Sequence, residues 1–208
     1  MAKLYFRYGA MGSAKTLNLL AAAHSYRQQG KKVLILKPEL DNRFGNLKVK
    51  SRSGLEKDAD ILIGPDTQLT LDHLSHLNGI LVDEAQFLTP TFIEHLQQIA
   101  RDFDIPVICY GLRTDFRTQL FAGSKRLLEL ADEIDEIKST CQYCNKKAIF
   151  NMKLVDGKAS LDGPNIQLGA EESYVPACAS CYEDRVRGMK SSKSRRAVEE
   201  SEAVVATI

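Results

Sequence analysis

The chain has 208 residues, 44% apolar and 26% charged, enough for one sizeable core and a small appendage. A formal net charge of +1 gives no bulk electrostatic case for a nucleic-acid or membrane partner. No apolar run approaches the roughly eighteen residues of a spanning helix and no secretory signal opens the chain, so a cytoplasmic protein is expected. In such a reducing compartment its five cysteines point to metal or redox chemistry rather than disulfides.

The first predicted element is a strand, Leu4-Tyr5-Phe6-Arg7-Tyr8. It runs into Gly9-Ala10-Met11-Gly12-Ser13-Ala14-Lys15-Thr16. That octet fits the phosphate-binding pattern G-x-x-x-x-G-K-[ST], except that Ala14 stands where glycine is expected. Such a loop aims backbone N–H groups at phosphate oxygens, and the helix that follows adds its dipole. Lys15 would reach the terminal phosphates, and the Thr16 hydroxyl would bind Mg2+. The Ala14 methyl is tolerable if φ stays negative, since only positive φ penalises alanine. A Leu- and Ala-rich helix is predicted over about 14–29, stopped by Gly30.

Further strands are predicted at 33–36, 61–63, 80–82 and 106–110, and helices at about 67–77, 90–101 and 124–131. Thr89-Pro90 reads as a helix entrance, with Thr89 as cap and Pro90 in the first turn. Apolar strands alternating with helices predict an α/β fold whose parallel sheet is covered on both faces. In Gly79-Ile80-Leu81-Val82-Asp83-Glu84 two acids end an apolar strand, on the sheet edge where such folds bind ligands. Neighbouring strand residues point to opposite sides, so the two acids are expected to do different jobs. Asp83 fits the Mg2+ side beside Thr16, and Glu84 is free to act as general base.

The pattern changes near residue 139. Cys141-x-x-Cys144 and Cys178-x-x-Cys181 form two pairs able to meet at one tetrahedral ion. Four thiolates suit structural Zn2+ and leave no open catalytic position; an Fe–S cluster and redox dithiols are the alternatives. Zinc would supply on the order of 10 kcal/mol of apparent folding energy. Cys109, in an apolar strand, reads as a buried thiol. None of the four histidines falls near a motif, and none is given a role. The chain therefore divides into a nucleotide-binding domain at 1–138, a zinc-binding domain at 139–188 and a polar tail at 189–208.

Together these motifs resemble the tetrameric, zinc-containing thymidine kinase family of bacteria and the animal cytosol. The resemblance covers about residues 3–187. It rests on the phosphate loop, Asp41-Asn42-Arg43-Phe44, Val82-Asp83-Glu84-Ala85-Gln86-Phe87, Cys109-Tyr110-Gly111-Leu112-Arg113-Thr114-Asp115-Phe116 and the cysteine pairs. It implies a P-loop sheet core with a small zinc domain carrying a lasso loop, and transfer of the γ-phosphate of ATP to the 5′-hydroxyl of thymidine. Glu84 matches the catalytic carboxylate, and Arg52 an arginine close to the phosphates. Gln86 joins the loop residues Gly9 to Thr16 and Asp83 on the ATP side. Met11, Phe87, Leu112, Phe116 and Phe121 match apolar residues around the thymine ring. The lasso corresponds to about 150–177, with Tyr174 and Gly169 on the nucleoside side. There Ile166-Gln167-Leu168-Gly169-Ala170 departs from the family's more apolar run. A homotetramer and feedback inhibition by thymidine triphosphate are inherited from the resemblance alone.

Two other readings compete. One is a nucleotide-dependent ATPase or switch whose zinc ribbon binds nucleic acid, although 139–187 lacks the basic face such a ribbon brings. The other is a nucleotide-binding protein that has lost catalysis through Ala14.

Overall fold

The computed structural model describes residues 1–41, 45, 47–164 and 174–188. In chain order its first strands are β1 (Leu4–Tyr8), β2 (Val33–Pro38), the hairpin β3 (Lys48–Lys50) and β4 (Glu56–Asp58), β5 (Ile61–Ile63), β6 (Gly79–Val82), β7 (Val107–Gly111) and β8 (Glu133–Glu136). The helices among them are α1 (Lys15–Gln28), α2 (Leu71–Leu74), α3 (Pro90–Asp102) and α4 (Ala122–Leu130). All these strands except the hairpin form one sheet in the order β5-β2-β6-β7-β1-β8, and every pairing in it is parallel.

Both faces of the sheet are buried, as its continuous apolar strands require. On one face α1 lays Leu19, Leu20 and Ala23 over Ile35, Leu81, Ile108 and Tyr110. On the other, Phe92, Ile93, Leu96 and Ile99 of α3 and Leu127 of α4 cover Leu36, Ile80, Val82, Val107 and Cys109. Cys109 is wholly buried, and that burial pushes its thiol well up. Adjacent strand residues such as Ile80 and Leu81 thus serve opposite layers.

The helix signals act where expected. The Phe92 N–H donates to Thr89 Oγ1 at 3.2 Å, with Pro90 in the first turn. Gly30, at φ 71°, ends α1. The helix expected over 67–77 shrinks to the four residues of α2, because Ser75 is extended and His76 turns left-handed at φ 60°. The edge strand β8 and the β3–β4 hairpin were not anticipated, being short, charged and largely exposed.

Beyond β8 lies a separate antiparallel sheet of β9 (Phe150–Val155), β10 (Lys158–Ser160) and β11 (Tyr174–Ala177), ordered β10-β9-β11. A bridge between Thr140 and Lys147 closes the turn that holds Cys141 and Cys144. Cys178 follows β11 directly, and Cys181 lies in a helix over 179–188.

Candidate active site

The octet 9–16 joins β1 to α1, at the carboxyl edge of the sheet. Gly9 is obligatory there: a Cβ would stand 2.4 Å from both the Ile137 carbonyl oxygen and Ser13 Oγ. Ala14 has φ 63° and ψ 26°, a left-handed conformation, so the condition for an unstrained alanine is not met. The loop holds its shape at the cost of that strain. Lys15 is nearly buried and folds back over the loop, donating to the carbonyls of Ala10 at 2.9 Å and Gly9 at 3.1 Å. The Thr16 hydroxyl donates to the Asp83 carboxylate at 3.2 Å. These hard oxygen donors, at the start of a 14-residue helix, suit a Mg2+–phosphate unit.

Asp83 and Glu84 lie beyond the end of β6, not on it, and strand alternation does not govern them. Glu84 is left-handed at φ 48°, which turns the chain so that both acids line the same cleft. The difference between them comes from partners: Asp83 meets Thr16, whereas Glu84 accepts a hydrogen bond from Gln86 Nε2. Gln86 is buried, and its Oε1 accepts the Leu112 N–H at 2.9 Å. A Cβ at Gly111 would come within 2.7 Å of that oxygen, so the glycine makes room for this bridge. Gln86 lines the cleft but spends both ends of its amide holding Glu84 against the end of β7.

The cleft has a volume of about 420 Å3. Met11 to Thr16 and Arg52 border it, as do Asp83, Glu84, Gln86, Phe87, Leu112, Phe116, Phe121 and Tyr174, so most of the anticipated residues come together. Gly9 and Ala10 shape the loop behind it. Phe87 and Phe121 meet edge to face with centroids 5.7 Å apart, and Phe116 and Tyr174 lie 6.1 Å apart. These rings add aromatic surface to a cleft that also holds the polar phosphate loop. Arg52 sits in the turn between β3 and β4, close enough that a Cβ at Gly12 would be 3.5 Å from its Nη1. The hairpin is anchored by Lys37, 1% exposed, whose ammonium donates to the Lys48 carbonyl at 2.7 Å and faces the Asp41 carboxylate at 3.5 Å. Gly169 and the rest of 165–173 lie outside the described residues, as do Asn42, Arg43, Phe44 and the tail from 189.

The four cysteines of the second motif converge. Their sulfurs all lie within 4.8 Å of one another, with Cys144 Sγ 3.6 Å from Cys178 Sγ and 3.7 Å from Cys181 Sγ. Such separations are far beyond a disulfide bond. They match the roughly 3.8 Å between sulfurs that tetrahedral Zn–S bonds of about 2.3 Å require. A four-iron cluster would push its thiolates farther apart, since each binds a different iron. Burial opposes ionisation of Cys141, but hydrogen bonds from the N–H groups of Cys178, Tyr143 and Cys144 and from the Cys144 thiol together outweigh it and lower the thiol to about 6. Donation by the Cys181 S–H to Cys178, together with burial, pushes Cys181 up to about 12. Four thiolates cannot coexist here without a cation, and the donor set fits zinc.

A family model described as thymidine kinase matches residues 2–182. The thymidine kinase of Streptococcus gordonii is 44% identical over 186 residues, covering 88% of this chain and 96% of that protein. Those of Lactococcus lactis and Streptococcus agalactiae are 41% and 42% identical, each over 88% of this chain and 97% of their own. The chain belongs to the thymidine kinase family. Among solved structures, a Pif1 helicase of Candida albicans is similar over 66% of this chain and 36% of that chain, at 14% identity and a TM-score of 0.43. This chain spans only about a third of the helicase chain, and so distant a likeness says nothing about function.

Within this thymidine kinase family member, the polar cleft residues that carried no sequence signal of a role include Asp41, Lys48, Lys50, Thr114, Asp115 and Asn151. Asp41, Thr114 and Asp115 fall inside segments that carry the family resemblance, which is the one clue that could have found them. Asn151 falls at the start of the stretch matched to the lasso, but its place at the cleft depends on how the small sheet docks.

Proposed function

We propose that the chain transfers the γ-phosphate of ATP to the 5′-hydroxyl of thymidine, giving thymidine monophosphate. The reading is carried by Lys15 and Glu84, distant in sequence, bordering one cleft in a member of this family. The loop N–H groups and the α1 dipole hold the triphosphate. Lys15 exchanges its carbonyl partners for phosphate oxygens, and Arg52 adds positive charge from the hairpin. Thr16 and Asp83 would hold Mg2+, which when bound neutralises charge on the phosphates. Glu84, oriented by Gln86, takes the proton of the attacking hydroxyl. Positioning and electrostatics then supply most of the catalysis. Leu112, Phe87, Phe116 and Phe121 surround the base, with Met11, Tyr174 and Gly169 closing the nucleoside side. An apolar pocket gains about 1–3 kcal/mol from one methyl, so deoxyuridine is accepted less well but not excluded.

The same reading divides the chain into a kinase domain at 1–138, a zinc and lasso domain at 139–188 and a tail at 189–208. Structural zinc at Cys141, Cys144, Cys178 and Cys181 fixes both ends of the lasso, which excludes water from the transfer. The family resemblance extends the proposal to a cytoplasmic homotetramer of nucleotide salvage, inhibited by thymidine triphosphate and without a nucleic-acid partner.

ADP release from Mg-ATP, measured with thymidine and separately with single-stranded DNA, tests this reading. Thymidine-dependent release with matching thymidine monophosphate supports it. Release stimulated by DNA alone, or nucleotide binding without turnover, overturns it.

A further inference from the structure

Asn151, on the small sheet, grips the phosphate loop. It lies on β9 and is 4% exposed. Its Oδ1 accepts the Met11 N–H at 2.7 Å, and its Nδ2 donates to the Thr114 carbonyl at 3.2 Å. Both ends of the amide are therefore spent on backbone. One fixes the loop that cradles phosphate, the other the segment leading to Phe116. Asn151 stands opposite Pro176 in the β9–β11 register. The Pro176 carbonyl accepts the Gln142 N–H at 2.9 Å, from inside the first cysteine turn, and Cys178 follows β11 directly. A single strand register thus joins the cysteine cluster to the phosphate loop.

We infer that Asn151 is a positioning residue coupling the two sites, so that metal at the four cysteines sets the nucleotide cradle as well as the lasso. Without the metal the turn around Gln142 loosens, β11 loses its register, and Asn151 no longer holds the Met11 N–H. That amide sits within the loop, so its release loosens the donors that must converge on phosphate before any substrate enters. The inference rests on the kinase reading of the cleft and adds a thermodynamic link between zinc and nucleotide. Such coupling is reciprocal, so bound nucleotide should also slow loss of the metal.

The test measures Mg-ADP affinity by calorimetry, without thymidine, for the unmodified chain and for Asn151→Leu, each with metal bound and after chelation. Leucine keeps the branching at Cγ, with somewhat more bulk, and removes both hydrogen bonds. The expected result is that Asn151→Leu with metal bound weakens Mg-ADP binding about tenfold, the scale of a lost buried hydrogen bond. Chelation should weaken the unmodified chain similarly and add little to the variant, the signature of non-additive coupling. An unchanged affinity in the variant, or an equal chelation effect in both proteins, overturns the inference. Hydrogen exchange of the Met11 amide in the unmodified chain needs no variant to fold. Protection that is lost on chelation supports the link, and protection that persists contradicts it. If the unmodified metal-bound chain binds no Mg-ADP, the kinase reading fails, and the Met11 exchange still decides whether the cysteine cluster controls the loop.

Discussion

Ala14 sits at φ 63° where the phosphate-loop pattern carries glycine, and left-handed backbone costs an alanine about 1–2 kcal/mol. Glycine adopts that conformation freely but is more disordered when unfolded, which offsets part of the gain. Ala14→Gly should therefore stabilise the chain by about 0.5–1 kcal/mol, read as a rise of roughly 1–4 °C in melting temperature. A fall would mean that the loop relies on the methyl. Glu84 is also left-handed, at φ 48°, and here the strain aims a side chain into the cleft. Lys15, Thr16, Asp83 and Glu84 were legible in the sequence because phosphate chemistry uses contiguous backbone and fixed offsets from a strand end. Lys37 and Asn151 were not, because the Lys48 carbonyl and the Met11 N–H that they bind are brought near only by folding. The alternation argument for the two acids failed for a local reason: β6 stops at Val82, before either of them.

At the scale of elements, the long helices and the buried strands were readable from periodicity and caps. Thr89 closes α3 through one hydrogen bond at 3.2 Å. Thr89→Ala should cost about 1 kcal/mol in equilibrium denaturation, while an unchanged midpoint would remove the cap's importance. β8, with the sequence Glu-Ile-Asp-Glu, escaped notice because an exposed edge strand needs no apolar run. α2 was overestimated because the apolar spacing around Leu71, Leu74 and Leu77 resembles a helix, yet His76 breaks it. The small sheet buries little more than Met152, Ala177, Tyr182 and Val186 beside its cysteines. It should depend on the metal accordingly. Removing zinc with a chelator should lower the melting temperature and raise the thymidine KM, and returning zinc should restore both. A metal-free protein with unaltered KM and melting temperature would refute the cysteine assignment.

Across the whole molecule, parallel pairing brings the ends of β1, β6 and β7 to one edge. β7 lies between the strand that feeds the phosphate loop and the strand that feeds Glu84. The hairpin closes one side with Arg52, and the small sheet closes the other with Asn151 and Tyr174. The cleft thus gathers a cationic, amide-rich loop, the Glu84 carboxylate and two pairs of aromatic rings. Aromatic rings in the same cleft as the phosphate loop favour the proposed transfer to a nucleoside hydroxyl over hydrolysis, because they exclude water. The most direct measurement follows the γ-phosphate itself. With labelled Mg-ATP and thymidine, the unmodified chain should place label on thymidine in equal amount to the ADP released. Glu84→Gln should bind Mg-ATP as before yet lose about 10²–10⁴ in transfer rate. Full transfer by the variant, or label found only in free phosphate with the unmodified chain, would contradict the account.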